Sequence, residues 1–239
     1  MKKRKLLILS LLAFTIFSSK VSAKENFYTN KNNVTFTEQE YTFLTKMYWE
    51  GSQDLFTQEN YNDFINSNIM NGEFEMFIYE PITLRSTSIT DSSKTLKISK
   101  SCSTSCLISV TSSWNKIPSV RSYDVIGARF ENTSLINNPT TTIISSGSTS
   151  YGTDIQLSSN GFGVTAKLPA TGTNIVINQT YKVNKGGTVY ASYQHAKMTV
   201  TLNDSKKYSI SSAGYGKVFR FDYAVTNKYD AMNGVSIAV

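Results

Sequence analysis

The chain has one histidine, two cysteines, two tryptophans and four prolines in 239 residues, and only 17 % of its residues are charged. With one histidine, any Ser-His-Asp or Cys-His catalyst has to use His195. Two cysteines, Cys102 and Cys106, exclude a framework of several disulfides and leave a zinc centre two ligands short. Neither dinucleotide nor phosphate-loop glycine patterns occur, and there is no Gly-x-Ser-x-Gly nucleophile elbow. No cofactor and no metal is therefore expected. Nor is any apolar run as long as the roughly 20 residues that a membrane-crossing helix needs.

What the N-terminus does have is an export pattern. Lys2, Lys3, Arg4 and Lys5 precede an apolar run from Leu6 to Phe17, and Val21-Ser22-Ala23 ends the segment with small residues. This predicts a signal peptide over 1–23, cleaved after Ala23, and a secreted mature chain. The leader holds five of the 24 Lys and Arg and none of the 17 Asp and Glu, so 19 basic residues then face 17 acidic ones, a net charge of +2. A nearly balanced chain with scattered cations lacks the field that draws proteins to nucleic acid, which is not expected as a partner.

Residues 24–35 read as a polar spacer, followed by helix-start chemistry. In Phe36-Thr37-Glu38-Gln39-Glu40-Tyr41, Thr37 is placed as N-cap, Glu40 closes a capping box, and Phe36 can staple to Tyr41. The same logic recurs at Phe56-Thr57-Gln58-Glu59-Asn60-Tyr61. Helices over Glu38–Glu50 and Gln58–Asn66 would make a helical hairpin within 36–70.

Beyond Glu73 the apolar period changes to two, first at Phe74, Met76 and Ile78. Further strands are expected at Thr95–Ser99, Cys106–Trp114, Val120–Phe130, Thr140–Ser145, Gly161–Leu168, Asn174–Val183, Thr188–Gln194, Lys197–Leu202, Tyr208–Ile210, Lys217–Tyr223 and Val235–Val239. Short strands divided by Gly, Asn, Asp and Ser predict a mainly β fold, an antiparallel β-sandwich over 71–239 preceded by the short N-terminal helical hairpin. Asn203-Asp204 and Lys185-Gly186-Gly187 read as turns, the latter a hairpin turn with positive φ. The Ser/Thr/Asn/Gly-rich stretch 132–160 reads as a long surface connection or a weakly packed edge hairpin, the most mobile part of the domain. Cysteines four apart in a straight strand would lie about 13 Å from each other, so a Cys102–Cys106 disulfide, expected outside the cell, requires a turn at Ser103–Ser105.

Leu168-Pro169-Ala170-Thr171-Gly172 resembles the sortase recognition pentapeptide of surface proteins of Gram-positive bacteria. In that family a hydrophobic segment and a basic tail follow the pentapeptide. Here 67 residues of strand-like sequence follow Gly172. A Pro/Gly turn between strands is the expectation, and cell-wall anchoring is not.

His195, in Tyr193-Gln194-His195-Ala196-Lys197, falls between two strands and reads as a satisfied or solvent-facing turn histidine. Carboxylate pairs for glycoside hydrolysis are weakly marked, Asp124 and Asp222 among them. The aromatic residues are more informative, because β-proteins bind sugars and proteins by stacking on Tyr and Trp with a few polar anchors. Tyr190, Tyr193, His195 and Tyr215 are the candidate ligand-binding residues. The function expected is non-enzymatic binding of an extracellular glycan or protein surface. The alternatives are a β-hairpin pore-forming or membrane-active toxin, for which 140–168 has the polarity but a broken alternation, and a secreted hydrolase using His195.

Overall fold

The computed structural model describes residues 26–45, 52–58, 61, 85–102, 104–146, 148–212 and 218–239. It is mainly β, and every strand pair in it is antiparallel.

At the N-terminal end, β1 (Phe27–Thr29) and β2 (Thr35–Thr37) form a small hairpin that runs into α1 (Glu38–Phe43). The capping box is present as expected. Glu40 donates its N–H to Thr37 Oγ1 at 3.2 Å, and Thr37 donates its N–H to Glu40 Oε2 at 2.7 Å. The staple differs. Tyr41 stacks on Tyr28 with ring centroids 4.2 Å apart, whereas Phe36 packs edge-on against Phe56 and Tyr61. A hairpin preceding the helix supplies Tyr41 with a nearer partner than Phe36. Most of the expected second helix, Gln58–Asn66, and the strand at Phe74, Met76 and Ile78 lie outside the described residues.

Two larger sheets follow. Six strands, β3 (Arg85–Thr90), β4 (Lys94–Cys102), β5 (Cys106–Trp114), β11 (Val176–Val183), β7 (Thr140–Ser145) and β8 (Ser148–Tyr151), lie side by side in that order. Five more form the second sheet in the order β15 (Val235–Ala238), β12 (Thr188–Gln194), β6 (Tyr123–Glu131), β10 (Gly161–Lys167) and β9 (Thr153–Ser158). Both are open. One apolar interior is filled from each: Leu96, Ile98, Ile108, Val110 and Ile177 from the first, Ile126, Ala128, Phe162, Val189 and Ala191 from the second. Across it the buried Tyr181 ring meets Phe162 at 4.9 Å and Phe130 at 6.1 Å.

The other face of the five-stranded sheet is also covered. A second cluster of Val125, Tyr190, Ala196, Val200, Val218, Phe219 and Tyr229 joins it to the hairpin of β13 (Tyr208–Ile210) and β14 (Phe219–Phe221), with α2 (Leu202–Ser205) and α3 (Tyr223–Thr226) beside it. Gly127 and Gly163 are register partners where Tyr208 and Phe219 approach the sheet. A Cβ on Gly163 would lie 2.2 Å from the Tyr208 hydroxyl, so the close approach of these rings requires glycine.

Several expectations are corrected. Lys197–Leu202 is not a strand: Ala196 makes a single bridge to Tyr229, and Thr201 caps α2 by accepting from the Asp204 N–H at 3.1 Å. Asn203-Asp204 is accordingly helical rather than a turn between strands. Lys185-Gly186-Gly187 has the expected positive φ, 89° and 116° at the glycines, but it links β11 to β12, which belong to different sheets. Within 132–160, β7 and β8 form the expected edge hairpin, on the six-stranded sheet, and the chain then crosses at Gly152 to β9, the edge strand of the other sheet.

Cys102 and Cys106 are bridged at the β4–β5 turn, where they are register partners. Leu168 is buried, and the Pro169–Gly172 turn is pinned by Arg121, which donates to the Pro169 and Gly172 carbonyls at 2.9 and 2.8 Å.

Candidate functional site

At one end of the interior the inward-facing positions become polar. Along β4 the residues at 98 and 96 are Ile and Leu, and the next inward position is Lys94. Along β6 the sequence Phe130, Ala128, Ile126 leads in the same way to Asp124. Trp114, the last residue of β5, is the register partner of Lys94, and Tyr193 on β12 is the partner of Ile126. The sheet pleat thus delivers Lys94 and Trp114 from one sheet toward Asp124 and Tyr193 from the other.

Asp124 is fully buried. The Ala196 N–H donates to its Oδ1 at 2.9 Å, the Tyr193 hydroxyl donates to its Oδ2, and His195 Nδ1 lies 3.0 and 3.1 Å from its two oxygens. The Trp114 indole N–H can only donate, and it does so to the Tyr193 hydroxyl at 3.2 Å. The direction of the chain Trp114 to Tyr193 to Asp124 is therefore fixed. Burial pushes the Asp124 carboxyl up from its ordinary value, and the surrounding donors, His195 first, oppose that shift.

His195 is 12 % exposed, where the chain leaves β12. Its ring packs edge-on against Trp114 at 4.6 Å, and its backbone is paired with Asp230: its N–H donates to Asp230 Oδ1 at 3.1 Å and its carbonyl accepts the Asp230 N–H at 2.9 Å. Asp230 in turn meets Lys94 Nζ at 2.5 Å, and Asp91 meets it at 2.9 Å. Lys94 is 2 % exposed and its ammonium lies 5.3 Å from the Trp114 ring centre. Burial works to lower the Lys94 ammonium, but the two carboxylates outweigh it and hold it above the ordinary lysine range. Asp91 resists burial in the same way: the Ser93 N–H and the Lys94 contacts keep its carboxyl well below the usual range.

These residues hold Trp114, which also lines a cleft of about 150 Å³ with Asn115, Ile117, Pro118, Thr173 and Asn174. Ile117 is 59 % exposed, and Asn115 and Asn174 are exposed amides. A rigid indole beside an aliphatic ridge and two amides offers stacking area together with donors and acceptors, the means by which proteins hold a sugar ring or a peptide side chain.

Of the residues picked out by sequence, His195 and Tyr193 fall in this network, Tyr193 fully buried as the donor to Asp124. Tyr190 lies on the opposite face of the sheet, buried, with the Arg129 guanidinium 3.9 Å from its ring centre. Tyr215 lies outside the described residues. Asp91, Asp124 and Asp230 belong to the sparse carboxylates that the sequence offers past the helices, and nothing in the sequence singles out Lys94 or Trp114. Asp222 is not among the hydrogen-bond partners of Asp124: it precedes α3, and its backbone N–H donates to the Lys207 carbonyl at 2.9 Å. Nδ1 of His195 facing Asp124 is an arrangement that can orient an imidazole for base catalysis, but among the described residues no hydroxyl is hydrogen-bonded to that ring.

No protein-family model matches the chain, and no curated protein matches it. Among solved structures, it is similar to the collagen binding domain of Erysipelothrix rhusiopathiae surface protein RspB, with a TM-score of 0.33 and 11 % sequence identity over 66 % of this chain. The chain spans 47 % of that structure. A likeness this slight carries neither fold nor function across.

Proposed function

We propose that the chain is exported and acts as a non-enzymatic binding protein, a β-sandwich that takes an extracellular glycan or protein segment at the Trp114 cleft. The observation that carries this reading is the support of Trp114: its N–H is held by Tyr193, its ring is packed against His195, and both supports are tied to the buried Asp124. An aromatic platform fixed before the ligand arrives loses little freedom on binding, which is the condition for useful affinity from a small contact. The leader pattern at 1–23 supports export, and the near balance of charge in the remainder argues against nucleic acid as the partner.

The test is a binding screen of the folded protein against a panel of purified glycans and extracellular matrix proteins. Saturable binding that Asn115→Ala weakens is the expected result. Failure to bind any member above background would remove the reading.

A membrane-active role has one observation in its favour: Ile155 and Leu157 on the edge strand β9, and Tyr151 at the end of β8, are exposed at 42 %, 57 % and 47 %. Dye release from phosphatidylcholine and phosphatidylserine liposomes separates the two readings. Strong release would favour insertion of 140–168 over the binding role.

A further inference from the structure

We propose that Lys94 and Asp230 condense spontaneously to an intramolecular amide, with Asp91 relaying protons, so that the mature protein carries a covalent cross-link between its two sheets. The geometry assigns a task to each atom. Lys94 Nζ lies 2.5 Å from Asp230 Oδ2. With a C–O bond of about 1.23 Å, the Asp230 carboxyl carbon is within about 3.7 Å of the nitrogen, close to a near-attack separation. Asp230 Oδ1 accepts the His195 N–H at 3.1 Å, where negative charge develops as the carbon becomes tetrahedral. Asp91 is aimed by three donors on its Oδ1: the Ser93 N–H at 2.7 Å, the Ser93 hydroxyl at 2.9 Å and the Lys94 N–H at 2.8 Å. Its Oδ2 is left facing Nζ at 2.9 Å.

The protons balance without a co-reactant. The ammonium passes one proton to Asp230 Oδ2, which turns the carboxylate into a carboxylic acid. A second passes to Asp91 as the nitrogen lone pair forms the C–N bond and the C–O π electrons move onto Oδ1. Collapse of that intermediate breaks the C–Oδ2 bond, and the hydroxyl leaves as water with the proton returned by Asp91. Of the three ammonium protons, one stays on the amide and two leave in the water, and Asp91 ends as it began.

Burial drives the step forward. An ion pair whose lysine is 2 % exposed bears a desolvation penalty that a neutral amide does not, and the fixed approach replaces a bimolecular encounter with a unimolecular one. Lys94 opens β4 in the six-stranded sheet, and Asp230 lies five residues ahead of β15 in the five-stranded one, 136 residues away. The bond would tie the start of the β domain to its end and hold the sheets together under tension.

The experiment is intact mass spectrometry of the folded, then denatured and reduced protein, followed by tryptic mapping. The wild type should be lighter than its sequence by one water, with a branched peptide joining the Lys94 and Asp230 segments and no cleavage after Lys94. Lys94→Arg and Asp230→Ala should both show the full mass, and Asp91→Ala should leave a large uncondensed fraction. A wild type at full mass would overturn the proposal. So would loss of water that persists in Lys94→Arg, because the dehydrated site would then be elsewhere. The wild-type mass and peptide map decide the matter even if a variant fails to fold.

Discussion

Asp124, entirely out of contact with water, faces the His195 ring nitrogen at 3.0 Å from its Oδ2 while the Tyr193 hydroxyl donates to the same oxygen. Two residues on one strand end thereby depend on a single carboxyl carried by the neighbouring strand. Asp124→Ala strands these donors and the Ala196 N–H in a dry site, and should lower the unfolding free energy by about 3–5 kcal/mol. Tyr193→Phe, which leaves Asp124 two other donors, should lower it by about 1–2 kcal/mol. Urea unfolding with an unchanged m-value checks both, and near-neutral Asp124→Ala would show that the network is not closed to water.

Asp204 gives a pH dependence. Lys207 at 2.7 Å and Lys228 at 2.8 Å hold its carboxyl down at about 2, below its ordinary 3.8. Its contribution to stability is therefore complete above about pH 4 and is lost as pH falls toward 2. Asp204→Asn should be less stable than wild type at neutral pH, and the difference should close over that window in acid denaturation curves. Asp124 acts in the opposite sense, because a carboxyl raised by burial is relieved rather than penalised when it protonates.

The Cys102–Cys106 bridge closes a loop of only a few residues. Loop entropy then gives about 2 kcal/mol, and a Cys102→Ser, Cys106→Ser double variant should keep the fold and lose about that much by urea unfolding. Loss of the β circular dichroism signal in the double variant would mean that the bridge is required for folding.

Gly163→Ala tests the outer layer. Its Cβ would meet the Tyr208 hydroxyl and the Phe219 ring, and should destabilise by about 1–3 kcal/mol while shifting the β13–β14 hairpin resonances most. Unperturbed Tyr208 and Phe219 signals would contradict the close approach of these rings to the sheet.

Most of the long strands were legible as β-branched and apolar runs between turn-forming residues: β5, β7 and β12 have the bounds expected from sequence. β8 and β9 were not, since edge strands pack on one neighbour only and carry Ser, Thr and exposed Ile and Leu where a central strand carries a core. At the site, Asp124 was legible only as one of a few carboxylates and His195 as a residue between two strands, while the expected strand at Thr95–Ser99 stopped one residue short of Lys94. The pairing of Lys94 with Asp230 was not legible, for it depends on which strands of two sheets come together across 136 residues. Tyr190 and Tyr193 show the limit of counting aromatics: three residues apart on one strand, they face opposite sides and are both buried.

The most direct measurement is the affinity of Trp114 variants for the strongest binder found in the glycan and matrix panel, with Tyr223→Ala as control because Tyr223 is 94 % exposed elsewhere on the surface. By calorimetric titration, Trp114→Ala and Asn115→Ala should each weaken binding at least about tenfold, a loss of about 1.4 kcal/mol, with Tyr223→Ala unchanged. Full affinity in both cleft variants would contradict the assignment of binding to this end of the molecule.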